Sequence, residues 1–175
     1  RRFVHQIDLS QRKKIIDLGG GSGAYSITAA KAHPHLQAVV FDLPPVAEVA
    51  REYIAEHGVE DRVCAVGGDF TTDEFPPDCD VAIMASNLPL YSREIIGQVI
   101  LRAFEALAPG GEMHLIGEML RDDRSGPIGP ALWGLAESIN GSTGMAHTEA
   151  DCIGYLKAAG FEKVIINDFI SGTLS

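Results

Sequence analysis

Ile15-Ile16-Asp17-Leu18-Gly19-Gly20-Gly21-Ser22-Gly23-Ala24-Tyr25-Ser26 decides how this chain is read. An apolar strand runs into a glycine-dense turn, and the turn opens a helix. Such a turn aims backbone N–H groups, clear of Cβ atoms, at whatever lies over the helix N-terminus. That geometry receives the polar end of a nucleotide-like ligand. A strict G-x-G-x-x-G would point to a dinucleotide. Here the last place of Gly19-x-Gly21-x-x-Ala24 is filled by alanine. Asp17 sits inside the strand just before the turn, and a carboxylate there repels a pyrophosphate and suits a cationic ammonium. The turn therefore reads as a site for S-adenosylmethionine rather than NAD.

Working outward, strands alternate with helices. Strand one covers 13–18 and the first helix 23–33, stopped by Pro34. Residues 36–41, apolar on both faces, make a central parallel strand ending in Asp42. Pro44 and Pro45 open the next helix, whose Val46, Val49, Ala50 and Tyr53 share a face. Strand three is 62–66, closing on Gly67-Gly68-Asp69-Phe70, and strand four is 81–85, followed by Ser86-Asn87. A helix over 92–108 buries Ile96, Val99, Ile100, Ala103, Phe104 and Leu107. Pro109-Gly110-Gly111 ends it, and strand five is 112–118. A helix over 128–140 carries Leu132, Trp133, Leu135 and Ile139. Thr148 caps the last helix, 149–159, and Gly160 terminates it. Strand six runs over 161–169, and Gly172-Thr173-Leu174-Ser175 begins a seventh.

The alternation predicts an α/β fold with a doubly wound, mostly parallel sheet. Two closing strands without a helix between them make the last one antiparallel. Residues 1–12 read as a linker or the end of a preceding helix, and 13–175 as one domain. The chain opens at Arg1-Arg2-Phe3 without a methionine and reads as part of a longer protein.

At 175 residues, with 46% hydrophobic and 22% charged, the chain is long enough for one sizeable core. The 24 acidic residues outweigh 14 basic ones, a net charge of −10. That balance disfavours nonspecific nucleic-acid binding or an anionic membrane surface. Cys64, Cys79 and Cys152 are odd in number and widely spaced. They match no zinc pattern and no disulfide framework, and read as reduced thiols of a cytoplasmic protein. The histidines 33, 35, 57 and 114 show no metal-binding spacing, so no metal is expected.

In open α/β sheets ligands bind at the carboxyl ends of the strands. Each of the first four strands ends in polar residues: the Asp17–Gly23 segment, then Asp42, Asp69, and Ser86 with Asn87. Asp42 can accept from both hydroxyls of a ribose, with Leu43 against the adenine. Asp69 can accept from the adenine amino group, and Phe70 can cover the ring. Taken singly, Asp42 is equally a helix cap and Asp69 a turn residue. The same chemistry at one end of three consecutive strands argues for a shared ligand.

Asp17-Leu-Gly-Gly-Gly-Ser-Gly23, Val40-Phe-Asp-Leu-Pro44, Gly67-Gly-Asp-Phe70, Leu107-Ala-Pro-Gly-Gly111, Thr148-Glu149 and Ala159-Gly-Phe161 together resemble one family. It is the catalytic domain of S-adenosylmethionine-dependent small-molecule O-methyltransferases, the group of caffeate, hydroxyindole and bacterial polyketide-tailoring enzymes. The resemblance covers nearly the whole chain. It implies a seven-stranded sheet of the Rossmann-like class I methyltransferase type. It places Gly19, Gly21 and Gly23 at the methionine portion of the cofactor, Asp42 on the ribose, and Asp69 with Phe70 at the adenine. The family also carries an N-terminal helical domain, absent here, which implies a homodimer for the full-length protein. The acceptor is then a small aromatic or polyketide-like molecule of secondary metabolism.

The chain departs from the family where proton transfer is expected. The family's histidine follows strand four, and the matching stretch here is Leu88-Pro89-Leu90-Tyr91-Ser92-Arg93-Glu94, with Pro89 at the histidine position. The acid after strand five remains as Glu118. The later Gly-Glu-Arg-Thr segment reads Gly144-Met145-Ala146-His147-Thr148. His147 is thus a candidate base and Asn87 a candidate for orienting the acceptor. Their plainer readings are a polar lead into the last helix and a strand-end turn. Met84, Met119, Met145 and Trp133 are candidates to line an apolar pocket, or core. Methyl transfer survives loss of the base, because the sulfonium is already activated and alignment supplies much of the rate. Three readings compete: methyl transfer to oxygen or to an activated carbon; cofactor binding with changed chemistry, such as hydroxylation; and NAD-dependent oxidation, which Ala24 and Asp17 argue against.

Overall fold

The computed structural model describes residues 2–167. The described residues divide into two compact units, one of 2–85 with 106–114 and one of 86–105 with 115–167.

The first unit begins with a short helix, α1 (Arg2–Gln6), and then Leu9, both held down by apolar burial: Phe3 and Leu9 are buried. The lead-in is therefore part of the packed structure and not a free linker. β1 (Lys14–Leu18) follows, then α2 (Ala24–Ala32), β2 (Gln37–Asp42), α3 (Pro44–Glu56), β3 (Val63–Gly67) and β4 (Cys79–Ala85). β5 (Leu107–Ile116) completes a five-stranded sheet in the order β3-β2-β1-β4-β5. β1 pairs parallel with β2 and with β4, and β2 with β3. The continuous apolar runs of β1, β2 and β4 suit strands covered on both faces. Ile15, Leu18, Val40, Val81, Ile83 and Met84 are accordingly buried. α2 packs on β1 and β2, and α3 on β2 and β3. The Asp80 carboxylate accepts from the amides of Lys13 and Lys14 at 2.9 Å each, fixing the start of β1 to that of β4.

Two expectations need correction in this unit, and of the two readings of Met84 the core is the one observed. α3 buries Ala47, Ala50 and Ile54, while Val49 and Tyr53 are exposed. Two alanines let the helix sit close to the sheet, and this small face displaces the bulkier one that the periodicity favoured. β5 starts at Leu107, so Pro109-Gly110-Gly111 lies within a strand and not in a helix-ending loop. Proline is tolerated there because this is an edge strand of the described sheet. Met84 is fully buried in the core.

The second unit contains α4 (Arg93–Ala106), preceded by a 3-10 turn at Leu88–Leu90, then α5 (Ile128–Ile139) and α6 (Glu149–Ala159). α4 buries Ile96, Val99, Ile100 and Ala103 as expected. Phe104 is exposed and meets Phe161 edge-on, and Leu107 has left the helix for β5. α6 carries a full capping box, with Thr148 and Asp151 each bonding the other's backbone amide, and ends at Gly160 in the left-handed conformation. α5 forms where the sequence placed it, but its buried residues are Pro130 and Gly134. Ile128, Leu132, Trp133, Leu135 and Ile139 are 40–74% exposed. Residues 161–167 form no strand, so the described part of the expected strand six is not a strand. The rest of it and the expected seventh strand lie outside the described residues.

No helix among the described residues is long and apolar enough to cross a membrane. The architecture is an α/β Rossmann-like fold.

Candidate functional site

The first unit assembles the glycine turn and the tips of β2 and β3. Gly20 sits directly on Asp17: a Cβ built there would lie 2.7 Å from the Asp17 carboxyl carbon. Gly21 has φ +57 and nothing within 4 Å of its would-be Cβ, so the turn presents bare backbone on that side. The Gly21 amide donates to Asp42 Oδ2 at 2.8 Å, and the Leu43 amide to Asp42 Oδ1 at 2.7 Å. Each carboxylate oxygen keeps a second lone pair for a ligand hydroxyl. Gly19 donates to the Phe41 carbonyl at 2.8 Å, and Gly23 is the N-cap of α2 without a side-chain cap. Leu43, 50% exposed, stands beside Asp42 as an uncovered apolar surface.

Asp17 itself is fully buried, with its Oδ2 accepting from Ser26 Oγ at 2.9 Å and its Oδ1 without a partner. Burial pushes its carboxyl up to about 6, against the opposing pull of Ser26. The acid read as facing a ligand thus lies one glycine layer beneath the turn. Sequence reasoning passed over Ser26. Its signal was a hydroxyl in the first turn of a helix that has no side-chain cap.

Asp69 Oδ1 accepts from the Thr71 amide at 2.8 Å and from its hydroxyl at 2.6 Å, a turn-forming pattern. Phe70 is buried. Gly68 packs against the Phe41 ring closely enough that a Cβ would collide with it. A cavity of about 580 Å³, lined by Val4, Ile27, Lys31, Tyr53 and His57 among others, shares only Ser22 and Ala24 with the turn.

The second unit holds the other candidates. Ser86 is exposed in the left-handed conformation, φ 61, and its amide donates to the Ile116 carbonyl at 2.7 Å. A non-glycine residue there costs on the order of 1 kcal/mol and marks the end of β4 as a constrained position. Asn87 is buried at the head of the 3-10 turn. Glu118 lies against Gly129 in the first turn of α5, where a carboxylate meets unpaired helix amides favourably.

His147 is buried with both ring nitrogens engaged: Nε2 is 3.0 Å from the Tyr91 carbonyl, and Nδ1 is 2.9 Å from the Tyr155 hydroxyl. A carbonyl only accepts, so Nε2 carries the proton and Nδ1 accepts from Tyr155. Burial holds the imidazole below its ordinary range, hence neutral. Arg93 forks onto Asp151 at 2.8 and 3.2 Å and touches the Met145 sulfur. Of the apolar-pocket candidates, Met119 is buried, and Trp133 donates to Glu137 at 3.2 Å. Among the described residues no cluster of three or more histidine, cysteine or carboxylate side chains is placed to hold a metal.

Known proteins resemble this chain strongly. The L-tyrosine C(3)-methyltransferase of Streptomyces lavendulae is 36% identical over 75% of this chain and 36% of its own length. The 3-hydroxy-5-methyl-1-naphthoate 3-O-methyltransferase of Streptomyces sahachiroi is 34% identical over 94% of this chain and 47% of its own. The structure of human N-acetylserotonin methyltransferase in complex with SAM superimposes with a TM-score of 0.83 at 27% identity, over 97% of this chain and 48% of that one. The chain thus spans less than half the length of these relatives. The O-methyltransferase domain family matches residues 1–162, and this chain belongs to that family.

Proposed function

We propose that the chain is the catalytic domain of an S-adenosylmethionine-dependent methyltransferase acting on a hydroxyl, or an activated carbon, of a small aromatic or polyketide-like molecule. The observation that carries this is the Gly21–Asp42 bond beside exposed Leu43: an open glycine turn joined to a ribose-type carboxylate and an apolar platform. The residues fit the group. In this reading Gly19, Gly21 and Gly23 hold the methionine portion, and Asp42 the ribose hydroxyls. Leu43 lies on the adenine, and Asp69 with Phe70 closes that end. Asp17 supplies negative charge from below. When bound, the cofactor supplies a methyl group already activated on a sulfonium.

On the acceptor side we assign Asn87 and Glu118 to orientation, which supplies much of the rate of an in-line transfer. His147 serves as base only when the Tyr155 hydroxyl leaves Nδ1. A faster reaction in Tyr155→Phe together with a slower one in His147→Gln assigns it that role. Insensitivity to both assigns it to structure. Each relative named above is a methyltransferase, one of them acting on carbon, and none supports hydroxylation. From the family resemblance we also propose a seven-stranded sheet with an antiparallel last strand in a 13–175 domain, and a cytoplasmic homodimer joined through an N-terminal domain; the relative's greater length leaves room for that domain.

The test is calorimetric titration with S-adenosylmethionine and S-adenosylhomocysteine, with NAD as control, on the wild type and Asp42→Ala. Binding of the adenosyl ligands alone, lost in the variant, supports the reading. NAD binding, or adenosyl binding indifferent to Asp42, overturns it.

A further inference from the structure

Asp17 and Ser26 form a fully buried pair under the glycine turn, nine residues apart in sequence and 2.9 Å apart in space. Ser26 stands in the first turn of α2, whose N-cap Gly23 offers no side-chain cap, so the charge of Asp17 lies at the positive end of that helix. Oδ1 of Asp17 is buried and has no hydrogen-bond partner among the described residues. The groups facing it are few. β2 contributes Asp42, which opposes its ionisation, and α2 contributes the Tyr25 hydroxyl beside Ser26. Its register partners are Val40 on β2 and Ile83 on β4, both apolar. The glycines above it carry no charge. Among the described residues, Ser26 is then the one side chain that donates to this carboxylate.

We propose that Ser26 is a positioning residue for the cofactor: its hydroxyl keeps Asp17 ionised and aimed beneath the turn, so that the turn attracts a cation. The inference rests on the cofactor reading above. A charge so placed favours S-adenosylmethionine, which bears an ammonium and a sulfonium, over S-adenosylhomocysteine, which bears only the ammonium. Protonating Asp17 removes that preference. Burial already brings this within reach, since the carboxyl sits at about 6. Losing the hydroxyl removes a hydrogen bond to the charged form and pushes the carboxyl higher still.

The test is calorimetric titration of both ligands into the intact protein from pH 5 to pH 8.5, using wild type, Ser26→Ala and the near-isosteric Ser26→Cys. In wild type, the ratio of the two affinities should favour S-adenosylmethionine at high pH and decline through a midpoint near 6. Ser26→Ala should move that midpoint up by about one pH unit, the size expected for one hydrogen bond to a charged group. Ser26→Cys, a weaker donor, should fall between. An equal loss of both affinities at every pH, or an unmoved midpoint in both variants, overturns the inference alone. No adenosyl binding by wild type at any pH overturns the cofactor reading and the inference with it. If Ser26→Ala does not fold, carboxyl NMR titration of Asp17 in wild type decides: saturation with S-adenosylmethionine must lower its midpoint, and no change overturns the proposal.

Discussion

The amide of Gly21 and the carboxylate of Asp42 are joined at 2.8 Å, so the turn after β1 is fastened to the tip of β2 by the same side chain proposed to take the ribose. Asp42 already accepts two backbone amides before any ligand arrives. Asp42→Ala should therefore weaken S-adenosylhomocysteine binding by about ten- to a hundredfold, the range for one or two hydrogen bonds to a charged group. Asp42→Asn, which keeps an acceptor, should lose less. Calorimetry on both variants gives the ranking: a near-equal loss would place the effect on the charge, and wild-type binding by Asp42→Asn would remove charge from the explanation.

Gly20→Ala and Gly21→Ala should separate two reasons for glycine. At 20 the added methyl meets the Asp17 carboxyl at 2.7 Å, an overpacking that costs roughly 1–3 kcal/mol. At 21 there is space but a positive φ, which costs roughly 1–2 kcal/mol. Urea unfolding should show the larger loss at 20.

The Arg93–Asp151 pair has a defined pH window. The guanidinium holds Asp151 down to about 2, against an ordinary 3.8. A depressed carboxylate stabilises the native state above the unfolded value and loses that contribution as pH falls through the native one. Asp151→Ala should cost about 1 kcal/mol at neutral pH, mainly as a lost cap, because the pair is partly exposed. The gap between wild type and variant should close between about pH 4 and pH 2. A gap independent of pH would show that the charge plays no part.

For His147 the sign is the same, but the cause is burial of a neutral ring rather than a paired charge. Burial keeps its native form neutral, so below the ordinary 6.5 the unfolded chain takes a proton that the native one refuses. Stability from this group is complete above that value and falls with acidification. His147→Gln, which can still donate to Tyr91 and accept from Tyr155, should flatten the loss of unfolding free energy between pH 7.5 and pH 5. Parallel curves for the two proteins would contradict this.

The centre of the sheet was legible because β1, β2 and β4 are continuous apolar runs, and the turn because glycine and a following acid leave few alternatives. The capping box of α6 was legible in part: Thr148 marks it, and Asp151 takes the role of its partner. Other features depend on partners distant in sequence. Nothing local distinguishes Ala47-Ala50-Ile54 from the larger apolar set of α3, since the choice is made by the sheet beneath. Asp17 read as a ligand-facing acid because chain order cannot show that Gly20 lies on top of it. His147 read as an available base because Tyr91 and Tyr155, the groups that occupy its nitrogens, are 56 and 8 residues away.

α5 removes little apolar surface from water, with only Pro130 and Gly134 buried along its length. Its backbone bonds are then held by local helix energetics more than by tertiary packing, and such helices open at low cost. In native-state hydrogen exchange its amides should give up their protons well before those of α2 and α4, and a slow α5 would mean that its outer side is covered in solution. The helix would come loose before α2 and α4, leaving the sheet and the glycine turn intact.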